Sequence, residues 1–158
     1  MLGDGGLKSV GSLTARYEES HSTGQRAYLD WKAEEWGLFT SKIVPTHKGE
    51  HKGWRLVGKS CKTLRPFWEM FYPEGSGNKT FVNLPLEWVD DLVLAIWFMD
   101  DGSRSGEGFR FSVGPDERDQ TVQLRVLRQL GVKGHLYGEG GDVSIHIQDR
   151  TNKERFLD

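Results

Sequence analysis

Cysteine is almost absent. Cys61 stands alone, so no internal disulfide and no cysteine zinc cluster can form. No run of about 18 apolar residues occurs, which excludes a membrane-spanning helix. The N-terminus lacks the basic-then-apolar pattern of a secretory signal, and an intracellular protein is expected. The early glycines, Gly3 to Gly11, are not followed by Gly-Lys-Ser/Thr, so they form no phosphate loop. Overall positive charge is missing too: the formal net charge is −2, which alone speaks mildly against nucleic-acid binding. What the chain does have is apolar bulk. Hydrophobic residues make up 36% and aromatics 11%, with six Trp and eight Phe. That composition argues for a folded globule. Its 158 residues suffice for one domain or for two small repeats sharing a core.

Charge is unevenly spread. Between residues 42 and 65, Lys42, Lys48, Lys52, Arg55, Lys59, Lys62 and Arg65 face one acid, Glu50. From 89 to 158, nine bases meet thirteen acids, with a cluster at Asp90, Asp91, Asp100 and Asp101. Clustered carboxylates need a partner, and a divalent cation is one candidate.

Periodicity organises the chain into one unit used twice. After Asp4-Gly5, Leu13, Ala15 and Tyr17 alternate with Thr14, Arg16 and Glu18, as in a strand. A helix is expected over about 23–36, closed by Gly37. Lys42–Val44 and Gly53–Lys59 read as strands around a polar hairpin loop, Pro45–Lys52. Leu64–Tyr72 reads as a helix and 73–78 as a loop. A long apolar helix opens at Leu84-Pro85 and runs to Met99, ahead of Asp101-Gly102. The series then repeats: a strand at 109–113, a helix at 119–130 ended by Gly131, strands at 135–137 and 143–147, and a helix beginning at 152. The two Asp-Gly pairs are 97 residues apart. Such self-similarity predicts two repeats, 1–83 and 84–158.

The run Leu94-Ala95-Ile96-Trp97-Phe98-Met99-Asp100-Asp101-Gly102 carries the chemistry. An Asp in the last turn of an apolar helix sits at the negative end of the helix dipole. Two such ends brought together are unfavourable unless cations neutralise them. The glycine after each Asp is expected to give a left-handed exit from the helix. Small Ala95 lets helices pack closely, so that two carboxylates could meet and hold a cation that activates water against a phosphodiester.

This run resembles the motif of the LAGLIDADG homing endonucleases, and Leu2-Gly3-Asp4-Gly5 resembles the tail of a first copy. The resemblance covers nearly the whole chain. It implies an α+β fold of two αββαββα repeats with pseudo-two-fold symmetry, the motif helices at its centre and the sheets forming a saddle for double-stranded DNA. It further implies a monomer that cuts both strands with Mg²⁺ or Mn²⁺, in an intron or intein setting. It implies an intracellular place, the cytoplasm of a prokaryote or phage-infected cell, or an organelle. Asp4 and Asp101 would be catalytic metal ligands, with Asp100 and the Gly3 carbonyl near the metal. Lys79, ahead of Phe81-Val82-Asn83-Leu84-Pro85, resembles the basic residue that assists at the scissile phosphate. On this reading most of the first motif helix and the C-terminal end lie outside the sequence.

The lysine-rich hairpin suits a major groove, with His47 and His51 near its tip. Lys42, Lys48, Lys52, Arg55 and Lys59 would contact phosphates or base edges. Their histidine spacing of four spans a glycine-containing loop and is no zinc helix. Arg16, Arg104, Arg110, Ser112, Ser144 and His146 are further DNA-contact candidates on the strands. Two alternatives stay open: a nucleic-acid-binding protein of the same scaffold without cleavage, such as an RNA maturase or transcription regulator, and a decayed intein domain.

Overall fold

A computed structural model of the chain describes residues 3–48, 51–75, 77–106, 108–138 and 143–147, with the backbone alone at Lys48, His51 and Glu74. The described residues fall into two compact units: Asp4–Lys79, and Thr80 onward together with Gly3.

The first unit begins with β1 (Gly6–Val10), turned at Gly11 (φ 65°) into β2 (Thr14–Ser22). A 3-10 turn at Thr23–Gln25 leads into α1 (Arg26–Trp36), which Gly37 ends at φ 47°. Few side chains tolerate that φ, and glycine does so without a Cβ clash. β3 (Thr40–Lys48), β4 (His51–Gly58) and α2 (Arg65–Phe71) complete the unit. The strands are antiparallel in the order β1-β2-β4-β3. Leu7, Ala15, Tyr17, Leu29, Leu56 and Phe71 are buried.

The second unit contains α3 (Asp91–Asp101), β5 (Gly102–Ser105), β6 (Gly108–Ser112), α4 (Glu117–Gln129), β7 (His135–Tyr137) and β8 (Ser144–Ile147). Its antiparallel order, β5-β6-β8-β7, repeats that of the first sheet. Trp97 of α3 meets Phe111 of β6 with ring centroids 4.3 Å apart. Both are fully buried, with Val126 and Leu127 of α4 and Ile145 and Ile147 of β8. Each such side chain contributes about 1.5–3 kcal/mol by leaving water. Asp119, also buried, accepts from Phe81 N at 2.6 Å and Thr80 Oγ1 at 2.7 Å, fastening the segment that enters this unit. The architecture is α+β, with one strand order used twice.

Four expectations need correction. The helix before Asp101 starts at Asp91, where Leu84 was expected. Leu86–Trp88 is a separate 3-10 turn, and Val89 and Asp90 are extended. The cause is a cap: the Asp90 side chain accepts from Val93 N at 2.9 Å, satisfying a first-turn donor. Second, the expected Pro45–Lys52 loop is mostly ladder, with pairs Pro45↔Trp54, His47↔Lys52 and Lys48↔His51. Pro45 is tolerated because β3 is an edge strand. Third, residue pattern placed one strand between each Asp-Gly pair and the next helix, where there are two: β1 and β5 are short edge strands without apolar alternation, implied only by the family resemblance. Fourth, Gly102 takes no left-handed exit: it is extended at φ −85°, ψ 151°. Its lack of a side chain matters for space instead, since a Cβ there would lie 2.3 Å from Phe98 O. The helix expected from residue 152 lies outside the described residues.

Candidate metal and nucleic-acid site

Asp4 sits in the turn that feeds β1, its side chain 44% exposed. Gly5 after it packs against Tyr17: a Cβ on Gly5 would fall 2.1 Å from the Tyr17 hydroxyl. The glycine therefore lets the Asp-bearing turn lie flat on β2. Lys79 Nζ donates to Gly5 O at 2.8 Å, which brings the expected phosphate-assisting lysine to the residue next to Asp4.

β2 supplies what lies behind Asp4. The inward alternation that begins with Ala15 and Tyr17 continues through Glu19 and His21, both buried. Glu19 is 2% exposed. Its Oε2 accepts from the Tyr17 hydroxyl, and its Oε1 accepts from His21 Nε2 and from Lys32 Nζ of α1. Burial pushes the Glu19 pKa up, but the bonds from His21, Lys32 and Tyr17 outweigh it and lower the value to about 2. Lys32, also buried, lies over the Tyr28 ring at 4.4 Å. The other His21 nitrogen, Nδ1, faces Asp4 Oδ2 at 3.8 Å. A cleft of about 340 Å³, lined by Asp4, His21, Gln25, Thr46 and Lys52 among others, opens over this corner.

In the second unit Asp100 and Asp101 occupy the last turn of α3, both half-buried. Gly3 is packed so tightly beside Asp100 that a Cβ would lie 1.9 Å from Oδ2. Asp4 and Asp101 thus hold matching positions, each followed by a glycine at the start of the first strand of its sheet: Gly5 just ahead of β1, and Gly102 opening β5.

Strand register sorts the expected nucleic-acid residues by face. Arg16, Lys42 and Arg55 lie on the face opposite Ala15, Tyr17 and Leu56. Arg16 is held by Glu18 at 2.6 Å, and Lys8 reaches the same carboxylate at 2.9 Å. Burial raises the Glu18 pKa, while the bonds from Lys8 and Arg16 bring it below the usual value. His47 and Lys52 pair across the hairpin on the other face, and both are exposed. Lys48 and His51 close the ladder on the Arg55 side by register. Lys59 follows β4 and is exposed, its N–H bound to Phe39 O at 2.6 Å. In the second sheet Arg110, Ser112, Ser144 and His146 share the face away from Phe111 and Ile145. Arg104 does not join them: it pairs with Phe109 and shares that residue's face. Arg110 Nε donates to Ser103 Oγ at 2.9 Å, and His146 lies 4.9 Å from the Tyr137 ring.

Sequence reasoning missed Glu19, His21, Lys32 and Tyr17 as a group. The signal was the parity of Tyr17, Glu19 and His21, hidden because a Glu and a His at inward positions look like the end of a strand.

Comparison with known proteins follows the same lines. The model of the LAGLIDADG DNA endonuclease family matches residues 1–154. No curated protein matches the sequence. Among solved structures, the fold is similar to the homing endonuclease I-WcaI bound to its DNA recognition sequence, with TM-score 0.79 and 16% identity, over 99% of this chain and 74% of that one. It is similar to an I-DmoI variant in complex with its target DNA in the presence of Mg, with TM-score 0.58 and 14% identity, over 99% and 88%. It is also similar to the N-terminal LAGLIDADG domain of DUF199/WhiA, with TM-score 0.52 and 14% identity, over 89% and 70%.

Proposed function

The chain belongs to the LAGLIDADG DNA endonuclease family, and from that membership we propose that it is a site-specific, divalent-metal-dependent endonuclease for double-stranded DNA, of the intron- or intein-encoded homing type. The carrying observation is the Asp-Gly pair at the same place in two units of identical strand order, with Lys79 Nζ bonded beside the first pair.

The donors fit a hard divalent cation. Asp4 offers a half-exposed carboxylate at the mouth of a cleft, and Asp101 offers one at the end of α3. Carboxylate oxygens are what Mg²⁺ or Mn²⁺ takes. When bound, the cation supplies an activated water and charge neutralisation for phosphodiester hydrolysis. The protein's own residues do the rest. Asp4 in the first unit and Asp101 in the second would each hold a cation. Lys79, an ammonium next to Asp4, offsets charge on the phosphate oxygens. Arg55 and Lys42 on the open face of the first sheet, and Arg110 on that of the second, bind backbone phosphate or base edges. The lysines of the β3–β4 hairpin add phosphate contacts.

A second reading is a binding protein of this fold that does not cut, which the likeness to the WhiA domain makes worth testing. Intact Asp4, Asp101 and Lys79 favour cutting. The test is a duplex recovered from a randomised library by binding to the full chain, then incubated with the chain and Mg²⁺ or Mn²⁺. Cleavage in both strands supports the nuclease; tight binding with no cleavage in either ion supports the second reading.

A further inference from the structure

We propose that His21 is a nitrogen ligand of the divalent cation held at Asp4, with Glu19 as the carboxylate that fixes its ring. The inference rests on the assignment of Asp4 as a metal ligand and deepens it.

Glu19 accepts from His21 Nε2, so that nitrogen carries a proton, and Nδ1 is the nitrogen at which an ion would take the place of any proton. Nδ1 faces Asp4 Oδ2 at 3.8 Å. That is too long for a hydrogen bond. Two neighbouring ligands about 2.1 Å from one octahedral ion lie about 3.0 Å apart. Closing the pair by about 0.8 Å, within reach of a side-chain rotation of the half-exposed Asp4, brings both atoms onto one ion. A histidine that binds a metal through one nitrogen and donates the other N–H to a carboxylate is the arrangement that orients a ligating ring. Here the carboxylate is itself fixed, by Lys32 Nζ and the Tyr17 hydroxyl, and Tyr28 meets the imidazole edge-on at 5.3 Å. The cleft of about 340 Å³ at this corner leaves room for an ion with its remaining waters.

Among the described residues, the second unit has no such device at the matching positions. Each ladder can be counted from its Asp-Gly pair. The inward position across from Gly102 is Phe111, and its match in the first sheet is Glu19, one step beyond the Gly6↔Glu18 pair. Two residues further on, His21 is matched by Val113. The Asp4 centre therefore offers nitrogen and oxygen, while Asp101 has no imidazole at the matching position. Imidazole suits Zn²⁺ and the later transition ions more than it suits Mg²⁺, so the two centres differ in ion preference.

The experiment uses the full chain and Mn²⁺ alone, without DNA, read by pulsed electron paramagnetic resonance. An imidazole ¹⁴N coupling on bound Mn²⁺ is expected, replaced by a ¹⁵N pattern in protein labelled with ¹⁵N-histidine. The coupling persists in the variant carrying His47→Gln, His51→Gln, His135→Gln and His146→Gln, where His21 is the sole histidine. It disappears in His21→Gln. Glu19→Gln, which loosens the ring, weakens Mn²⁺ binding by about 10–100-fold. If His21→Gln or Glu19→Gln fails to fold, the variant with His21 as sole histidine decides the matter. An oxygen-only spectrum, a coupling lost from that variant, or no Mn²⁺ binding overturns the proposal. Mg²⁺-dependent cleavage with an oxygen-only Mn²⁺ spectrum would leave the nuclease standing and remove this inference. A histidine-coupled ion in a chain that never cuts would do the reverse.

Discussion

Glu19 is a carboxylate taken almost wholly out of water, and three donors keep it charged. Its removal strands Lys32, an ammonium 4% exposed. Breaking a buried pair from one side costs about 3–5 kcal/mol, because the surviving charge stays desolvated. Glu19→Ala should therefore lower the urea midpoint of the first unit far more than the exposed Glu69→Ala does. The lowered pKa also fixes a pH window. Glu19 binds its proton less readily folded than unfolded, so its contribution is fully present above the unfolded value of 4.5 and is lost as pH falls toward about 2. An acid titration followed by tryptophan fluorescence should show the first unit losing stability across that window, with the effect absent in Glu19→Gln.

At the scale of elements, caps and hairpins decide where the chain turns. Asp90 starts α3 by accepting from Val93 N. Asp90→Ala should cost about 1 kcal/mol, while Asp90→Asn or Asp90→Ser should restore most of it in thermal melts. The β3–β4 hairpin carries Lys48, Lys52 and the nearby Lys59. Replacing all three with Gln should flatten the log–log salt dependence of DNA binding by about one unit per lost phosphate contact. An unchanged slope would show the hairpin to be an ordinary solvated surface. These elements also show what could be read in advance. The helix expected over about 23–36 and found as a 3-10 turn and α1, the strand expected at 109–113 and found as β6, and the repeated order followed from residue pattern, because apolar residues there recur among polar ones. The start of α3 was hidden by Leu84 and Leu86, which extend the apolar pattern beyond the capping Asp90. Pro45 and the polar residues around it concealed a ladder held by backbone bonds, which sequence polarity does not report. At the candidate site, Asp4, Asp101 and Lys79 were visible through family resemblance. The Glu19–His21–Lys32 group was not, because a buried charge is identified by its partners and those come from a strand and a helix.

At the scale of the molecule, one strand order serves two units of different character. Residues 4–79 hold twelve bases and nine acids, while 80–158 hold nine bases and fourteen acids. The first unit is net +3 and the second net −5, which together give the −2 of the whole. Phosphate attraction is therefore expected mainly from the first unit. Among the described residues no helix is long and apolar enough to cross a membrane. The central claim is that the repeated Asp-Gly corners hold divalent cations for cutting DNA. The measurement that tests it most directly is cleavage of a library-selected duplex by the full chain and by Asp101→Asn, in Mg²⁺ and in Mn²⁺, beside binding of the same duplex. The account predicts that the native chain cuts both strands, and that Asp101→Asn binds with nearly unchanged affinity but cuts at background rate. Equal cleavage by the two proteins, or binding by the native chain with no cleavage in either ion, would contradict it.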